Sequence, residues 1–396
     1  MRRAPALSFL LATVFIDMLG LGLIVPMVPA LMGSVTHDPA HAALWSGPID
    51  ASYGILQFLT APLLGRLADR YGRRPVLLRS LGFLGVDYLA HAVNPTIASL
   101  MLFHGLAGAF AGTGTVVNAY VADVTPPAGR ARAYGLIGAV FSLGFVAGPA
   151  LGGLLGAADL RLPFVVAALL AFTNVAYGRL VLPESRPGDR ITPIGFHSPF
   201  GALSAVLRRP VLGRLAAARF CSDIARNVQQ ALWTFLVTFQ LGWGTARTGL
   251  VMAVGALAGA LFSARAIGPV VRVLGDKRAA VLGAGLSTVA FTGTAFATSG
   301  SQIYLMQAIG VLSGIGSASA QSWISRVTGS SEQGTVQGAL TSGAALAEAV
   351  IPALASALFA WSLPLGFPGL PFLAAGVFAS AGAVLLALTR PPVPVS

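Results

Sequence analysis

A succession of apolar segments, each long enough to cross a lipid bilayer, constrains this chain more than any other feature. A spanning helix needs about 20 apolar residues, because the hydrocarbon core is roughly 30 Å thick. Lipid offers no partner to backbone polar groups, so such segments form helices. We predict an all-α integral membrane protein with about twelve transmembrane helices. The predicted spans are 6–30, 44–64, 75–94, 97–122, 132–156, 162–182, 213–240, 246–268, 279–298, 302–326, 335–360 and 366–389.

The composition excludes a soluble protein. Only 10% of the residues are charged and 55% are hydrophobic, whereas soluble domains carry about a quarter charged residues. The net charge of +12 does not indicate nucleic-acid binding, since the arginines lie in short segments between apolar runs. Cys221 is the single cysteine, which excludes an intrachain disulfide and a cysteine-based metal site. Arg2 and Arg3 precede an apolar run without a convincing cleavage site, so we expect a retained first helix rather than a signal peptide.

The basic residues predict the orientation. With both termini in the cytoplasm, twenty of the 25 Arg and Lys residues are cytoplasmic and only Arg161 and Arg247 are external. Short cytoplasmic loops carry an excess of Arg and Lys. The bias therefore supports cytoplasmic termini and an even number of helices. The cytoplasmic set is Arg2, Arg3, Arg66, Arg70, Arg73, Arg74, Arg79, Arg130, Arg132, Arg179, Arg186, Arg190, Arg208, Arg209, Arg214, Arg272, Lys277, Arg278, Arg326 and Arg390.

The widest polar gap divides the helices six and six. It covers 183–212 and predicts a cytoplasmic linker between an N-terminal bundle, 1–182, and a C-terminal bundle, 213–396. The halves echo each other weakly: Gly65–Arg74 corresponds to Gly268–Arg278, and Arg130–Gly135 to Gln333–Gly338. A parallel repeat of six helices predicts two bundles related by a pseudo-two-fold axis, with a solute site at the midplane between them.

Several motifs carry a resemblance to a known family. Gly65–Pro75 resembles the signature between helices 2 and 3 of the major facilitator superfamily, and Gly144–Gly153 resembles the helix-5 motif of its antiporters. Asp17–Pro29 resembles the helix-1 motif of drug:proton antiporters, and Leu182–Ser185 resembles the close of helix 6. Further segments resemble the tetracycline-efflux branch: Val86–Tyr88, Ala122–Thr125, Ala231–Trp233 and Gln333–Gly338.

The resemblance implies a secondary transporter of the bacterial inner membrane. Its partners are then a small-molecule substrate, protons and the lipid bilayer, with no nucleic acid, and a monomer is expected. The proton gradient supplies the energy, so no cofactor is expected. Three positions depart from the branch: His104 replaces an Arg early in helix 4, Ser287 replaces an acid in helix 9, and Glu348 adds an acid in helix 11.

The Arg-rich segment Gly65–Pro75, which we expect to form a loop, is a candidate gate. A carboxylate among arginines at a helix end can bind them and the terminus of a neighbouring helix, and such a cluster must break in the other transport state. The alternative is a plain positively charged loop without a gating role. The candidate gating residues are Gly65, Asp69, Arg70, Gly72, Arg73 and Arg74.

The glycines of the helix-5 motif predict a bare helix face. Gly144, Gly148 and Gly152 recur every four residues, so another helix can approach closely, and Pro149 adds a kink beside them. Gly153 completes the motif. The alternative is a tight packing seam that has no part in antiport.

Three acids lie well inside predicted spans: Asp17, Asp87 and Glu348. A carboxylic acid in a low-dielectric medium favours its neutral form, so it can bind and release a proton. We predict that these acids and the titratable His104 couple protons to transport, with His91 one turn from Asp87 as a possible pair. The alternative for each is a structural hydrogen bond.

Helix 7 carries a polar stripe. Asp223, Arg226, Asn227 and Gln230 share one helix face, which should line a cavity rather than meet lipid. Asp223 and Arg226 can also form a static pair. The predicted substrate-binding residues are Asn118, Thr115, Arg226, Asn227, Gln230, Trp233, Gln307 and Gln321.

Signatures of other chemistry are missing from the sequence. There is no P-loop for direct use of ATP, no His, Asp and Glu spacing of a metal site, and no identifiable catalytic serine, so we expect no enzyme. His37 and His41 should be solvated.

The sequence predicts a proton-coupled antiporter that exports a tetracycline-like or other small drug. The alternatives are a transporter of another metabolite, such as a natural product, sugar or nutrient, and a membrane-embedded enzyme or a passive channel.

Overall fold

A computed structural model describes residues 4–93, 95–125, 130–185, 204, 206–328 and 333–389. Within these ranges the structure is helical and contains no β-strand. One short 3-10 helix, Val25–Met27, accompanies the α-helices. These are α1 Ala4–Ile24, α2 Val28–Thr36, α3 Pro39–Tyr71, α4 Arg73–Val93, α5 Ile97–Ala109, α6 Thr113–Val124, α7 Arg130–Ala158, α8 Leu162–Leu180, α9 Pro210–Leu241, α10 Thr245–Arg265, α11 Ile267–Ala295, α12 Gly300–Val327, α13 Gln333–Ser362 and α14 Leu370–Leu388.

The helices follow the predicted order of spans, which confirms an all-α membrane fold. In the described part of the chain, eight helical segments are long and apolar enough to cross a membrane. The remaining predicted spans correspond to α3, α9, α11 and the pair α5–α6. Helix α9 is less apolar because it carries the polar stripe. The pair α5–α6 consists of two short helices because the chain breaks between them. The number of twelve crossings stays a prediction.

Two predicted spans are interrupted. Pro26 lies in the 3-10 turn between α1 and α2, because proline lacks the N–H that would continue an α-helix. The predicted span 97–122 breaks between Ala109 and Thr113. Elsewhere a helix start is well defined: the Asp38 carboxylate accepts the backbone N–H of His41 at 2.9 Å and so caps α3. This hydrogen bond lowers the pKa of Asp38 below its ordinary value.

The Arg-rich segment expected as a loop is almost entirely helical. Helix α3 continues to Tyr71, and the chain leaves helical geometry only at Gly72, with φ 97° and ψ 156°. Gly275 has nearly the same conformation, with φ 74° and ψ 161°. Gly72 lies seven residues after Gly65, and Gly275 lies seven residues after Gly268. Gly65 and Gly268 are the glycines at which the two predicted repeat segments begin. The matching conformations support the internal repeat, since such positive φ angles favour glycine.

Contacts between residues divide the chain into two compact units. The first comprises Met1–Ile194 and Trp243–Leu257, and the second comprises Gly195–Gly242 and Ala258–Ser396. The boundary at 194 falls inside the predicted linker 183–212, most of which lies outside the described residues. The first unit is built around Leu77, Leu81 and Tyr120. The second unit is built around Leu215, Trp323 and Ile324.

Candidate functional site

The start of α4 is capped by an acid in the segment that follows α8. Glu184 accepts the backbone N–H of Arg73 at 2.8 Å through Oε1 and that of Arg74 at 3.2 Å through Oε2. These N–H groups have no partner within their own helix. A side chain at Gly72 would collide with this carboxylate, since a Cβ there would lie 2.7 Å from Cδ of Glu184. Glycine at position 72 is therefore required by both space and backbone conformation.

The two arginine side chains complete the cluster. Nε of Arg73 donates to Oδ2 of Asp123 at 3.2 Å, and the Ser185 hydroxyl donates to the same oxygen at 3.2 Å. Nε of Arg74 donates to the carbonyl of Gly178, in the last turn of α8, at 3.1 Å. A cation is favourable at the carboxyl end of a helix, where carbonyl groups lack partners. We call Arg73, Arg74, Asp123 and Glu184 the arginine cluster.

The arginine cluster brings together motifs that are far apart in the sequence. Asp123 and Glu184 come from two segments noted only for their resemblance, and both contact the predicted gating arginines. Arg73 is buried, with 7% of its surface exposed, whereas Arg70 is exposed and lies over the Tyr71 ring. The surroundings of Gly65 and the side chain of Asp69 lie outside the described residues. The gating role of the segment stays a prediction.

The glycine face of α7 packs closely against α1. A Cβ at Gly148 would lie 2.6 Å from Cα of Gly22, and one at Gly144 would lie 2.8 Å from Cβ of Met18. A Cβ at Gly152 would collide with the backbone of Leu23. Pro149 lies inside the same helix. The face is thus a seam that excludes side chains larger than hydrogen.

Gly153 faces a different neighbour within the first unit. Its carbonyl accepts the hydroxyl of Thr245 at 3.2 Å, and a Cβ there would lie 2.6 Å from the Thr245 carbonyl oxygen. The whole motif therefore lies in tight packing, and its part in antiport stays a prediction.

Asp17 lies in α1 beside this seam and is buried, with 7% of its surface exposed. Among the residues that the structure describes, its Oδ1 has no hydrogen-bond partner, and neither do Oγ1 of Thr13 and the hydroxyl of Tyr88. Thr13 is one turn from Asp17 on the same face of α1, and its carbonyl accepts Nδ2 of Asn174 at 2.9 Å. A buried carboxylate without a full set of partners is costly when charged. Of the predicted proton-coupling acids, this one is the least compensated.

Asp87 has the opposite environment. It is buried, with 1% of its surface exposed, and its Oδ2 lies 2.9 Å from Nδ1 of His104. Its Oδ1 lies 3.1 Å from Nδ1 of His91, one turn along α4. The predicted approach of His91 to Asp87 is therefore present, and the structure adds His104 as a second partner of the same carboxylate. The sequence spacing indicated no metal-binding group, because His104 reaches the other two from the neighbouring helix α5.

The polar stripe of α9 is organised around Asp223, which is buried with 2% of its surface exposed. Arg219 and Arg226 both bind its carboxylate, from 3.0 and 2.9 Å. The side-chain amide of Asn227 donates to the Asp223 carbonyl at 2.8 Å. The static-pair alternative thus describes this conformation, with Arg219 as a second arginine that the sequence pattern did not pair with Asp223. Half of the Arg226 side chain remains exposed.

The other predicted substrate residues are spread over several helices. Gln230 and Asn118 are exposed, Gln307 is half-buried, and Trp233 is buried. Gln321 of α12 donates to Oε1 of Gln337 in α13 at 3.0 Å. The side chain of Thr115 lies outside the described residues. Glu348 is exposed and lies within electrostatic range of Arg226.

Several residues of these clusters were not among the predicted site residues, including Asp123, Glu184, Arg219 and Asp50. The spacing of Arg219 and Asp223, one helical turn, was a usable signal. Asp123 and Glu184 stood in recognised motifs. No sequence signal places Asp50 of α3 near His104 of α5.

Comparison with known proteins gives consistent matches. The sequence profile of the Major Facilitator Superfamily matches residues 10–266 and 215–396. The chain is 34% identical over 363 residues to a tetracycline resistance protein of class C from Escherichia coli, which covers 91% of each chain. It is 34% identical to the class G protein from Vibrio anguillarum, over 86% of each chain.

The fold has solved counterparts. A crystal structure of the nucleoside transporter NupG superposes with a TM-score of 0.78 at 13% identity and covers 98% of this chain and 99% of that one. At this identity the likeness concerns the fold alone.

Proposed function

This chain belongs to the major facilitator superfamily and is a multi-pass membrane transporter rather than an enzyme, and on that premise we propose that it is a proton-coupled antiporter that exports a tetracycline-like drug. The observation that carries the substrate class is the similarity to the class C protein over 91% of the chain. The proton gradient supplies the energy, and no cofactor takes part. The protein acts as a monomer in the bacterial inner membrane, with both termini in the cytoplasm.

Asp17 is the residue on which we place the coupling. It is buried, and Oδ1 has no partner in the described part of the chain, so its charged form is unfavourable unless a cationic group or water reaches it. Its neutral form carries no such cost. A group of this kind biases a two-state protein, because protonation stabilises the state that buries it and deprotonation stabilises the state that exposes it.

The position of Asp17 connects this charge to a helix interface. Met18 and Gly22 of α1 lie directly on the glycine face of α7. A face without side chains lets the two backbones lie in direct contact, so a change in the position of α1 would act directly on α7. We propose that proton binding from outside releases the drug outward and permits the return swing through this seam. Asp87, Glu348 and His104 stay secondary candidates for proton coupling.

Inside-out membrane vesicles test the function. With an acid lumen, vesicles that contain the protein should accumulate tetracycline, whereas vesicles without it, or without the gradient, should not. Absence of uptake, with orientation and expression verified, would refute the drug assignment.

His104 and Ser287, which depart from the tetracycline branch, favour a second candidate function, in which the protein moves another small organic solute against the same gradient. Screening solutes in these vesicles distinguishes the two.

A further inference from the structure

Asp87, His91 and His104 form a compact group of ligand atoms in the first unit. One oxygen of Asp87 and one ring nitrogen of each histidine lie within 4.8 Å of one another. The two closest approaches to the carboxylate are 2.9 Å from Nδ1 of His104 and 3.1 Å from Nδ1 of His91. Two imidazoles and one carboxylate are a ligand set that suits Zn²⁺ and related divalent transition metals.

The ligand atoms lie close enough to surround one ion. Ligands that lie about 2.1 Å from a tetrahedral Zn²⁺ are about 3.4 Å apart. The contacts of His104 and His91 with Asp87, 2.9 and 3.1 Å, use different carboxylate oxygens, and with one oxygen the three ligand atoms lie within 4.8 Å of one another. Rotation of the side chains would have to bring both ring nitrogens to a common ion. Three protein ligands leave a fourth position open for water or another ligand.

The burial of the carboxylate points to a cation. Asp87 is 1% exposed, and its two oxygens lie beside the rings of His104 and His91. A buried carboxylate is costly unless a positive charge compensates it. A divalent ion bound to Oδ1 would supply that charge directly.

The surroundings of the histidines suit ligation. Nε2 of His104 lies 4.0 Å from Oδ1 of Asp50, which is longer than a hydrogen bond. A shift of either side chain would let the ring N–H donate to this carboxylate, as is typical of a histidine bound to a metal. The His91 ring stacks on Phe164 with a centroid distance of 5.6 Å, and the His104 ring lies 5.0 Å from that of Tyr53. These contacts limit the freedom of both rings. On ligation His91 gives up its present contact between Nδ1 and the Asp87 carbonyl, and its proton resides on Nε2.

We propose that Asp87, His91 and His104 bind a divalent transition-metal cation of the Zn²⁺ class, with Asp50 orienting His104. The ligands come from α4 and α5, so the ion would link these two helices. This proposal does not depend on the drug assignment, since it concerns binding to the purified protein and not transport.

Zn²⁺ and Co²⁺ titrations of the purified full-length protein test the proposal, with an affinity tag that lacks histidine. We expect stoichiometric Zn²⁺ binding by calorimetry and a tetrahedral Co²⁺ absorption spectrum that Zn²⁺ abolishes. His91→Gln and His104→Gln should each lower the affinity at least tenfold. Asp50→Asn should lower it about tenfold, as expected for a group that orients a ligand.

His41→Gln is the matched control, because His41 also contacts an aspartate, Asp38, but in an exposed position. This variant should bind as the native chain does. Equal affinity of His41→Gln, His91→Gln and His104→Gln, or no Zn²⁺ binding by the native chain, would overturn the proposal and leave an ion-paired group only. If the histidine variants fail to fold, thermal unfolding of the native chain decides: Zn²⁺ should raise its unfolding temperature, and no change would overturn the proposal.

Discussion

Oε1 of Glu184 accepts the backbone N–H of Arg73 at 2.8 Å, although 111 residues separate the two in the sequence. The carboxylate caps α4 from outside that helix, and Oε2 serves the next N–H along the chain. In an Arg-rich segment, this acid also compensates positive charge. The cap therefore joins the segment that follows α8 to the start of α4.

Loss of the Glu184 carboxylate should destabilise the protein. Glu184→Ala leaves two backbone N–H groups without this acceptor, which costs about 1–3 kcal/mol. Glu184→Gln keeps one acceptor oxygen and should cost less. The measurement is thermal unfolding of the detergent-solubilised protein. Asp159→Ala serves as the control, because that carboxylate accepts a local N–H, from Arg161, at an exposed turn. Equal unfolding temperatures for the alanine variants would contradict the capping role.

The glycine face of α7 provides a second prediction. Gly152→Ala places a methyl group against the backbone of Leu23, so the helices must separate, at a cost of about 1–3 kcal/mol. Gly138→Ala lies in the same helix, with open space around it among the described residues, and should be neutral or slightly stabilising. Thermal unfolding and transport of the two variants are compared. If Gly152→Ala matched Gly138→Ala in both, close approach at this position would have no consequence.

Substitutions at Asp223 and at its partner Arg226 test whether Arg226 forms a structural ion pair or contacts the substrate. Asp223→Ala leaves Arg219 and Arg226 without their common acceptor, and we expect a loss of about 1–3 kcal/mol in the free energy of unfolding. Arg226→Gln should change it by less than about 1 kcal/mol, because Arg226 is half exposed and Arg219 still pairs with the carboxylate.

Drug binding then decides the role of Arg226. If Arg226 contacts the drug, Arg226→Gln should weaken binding severalfold at nearly unchanged stability. A large loss of stability with unchanged binding would assign the residue to the structural pair alone. Arg219→Gln is the matched control, since it removes the other partner of the same carboxylate.

Sequence reasoning reached the helical membrane fold because apolar length is a local property, which each segment carries independently. The internal repeat stays a prediction, which the similar backbone conformations of Gly72 and Gly275 support. It missed the extent of α3, because the glycines and charged residues of Gly65–Arg74 favour a loop unless the neighbouring structure holds the helix.

Contacts between distant segments could not be predicted from the sequence. The Glu184 cap and the approach of His104 to Asp87 depend on how helices pack, and hydrophobic patterns do not specify which polar groups meet. Asp17 shows the opposite limit: its position in an apolar span was evident from the sequence, whereas the lack of a partner for Oδ1 among the described residues became visible only in the packed bundle.

Asp17 is also the subject of the last prediction, which concerns coupling. Asp17→Asn keeps the size of the side chain and removes its ability to take up and release a proton. If this group couples the proton to the drug, gradient-driven uptake into inside-out vesicles should fall at least tenfold. Exchange of labelled for unlabelled drug, which needs no net proton movement, should persist. Asp159→Asn, a change at an exposed carboxylate, should retain both activities. Loss of both activities in a folded Asp17→Asn protein would instead indicate a role in drug binding, and retention of gradient-driven uptake would remove Asp17 from the coupling mechanism.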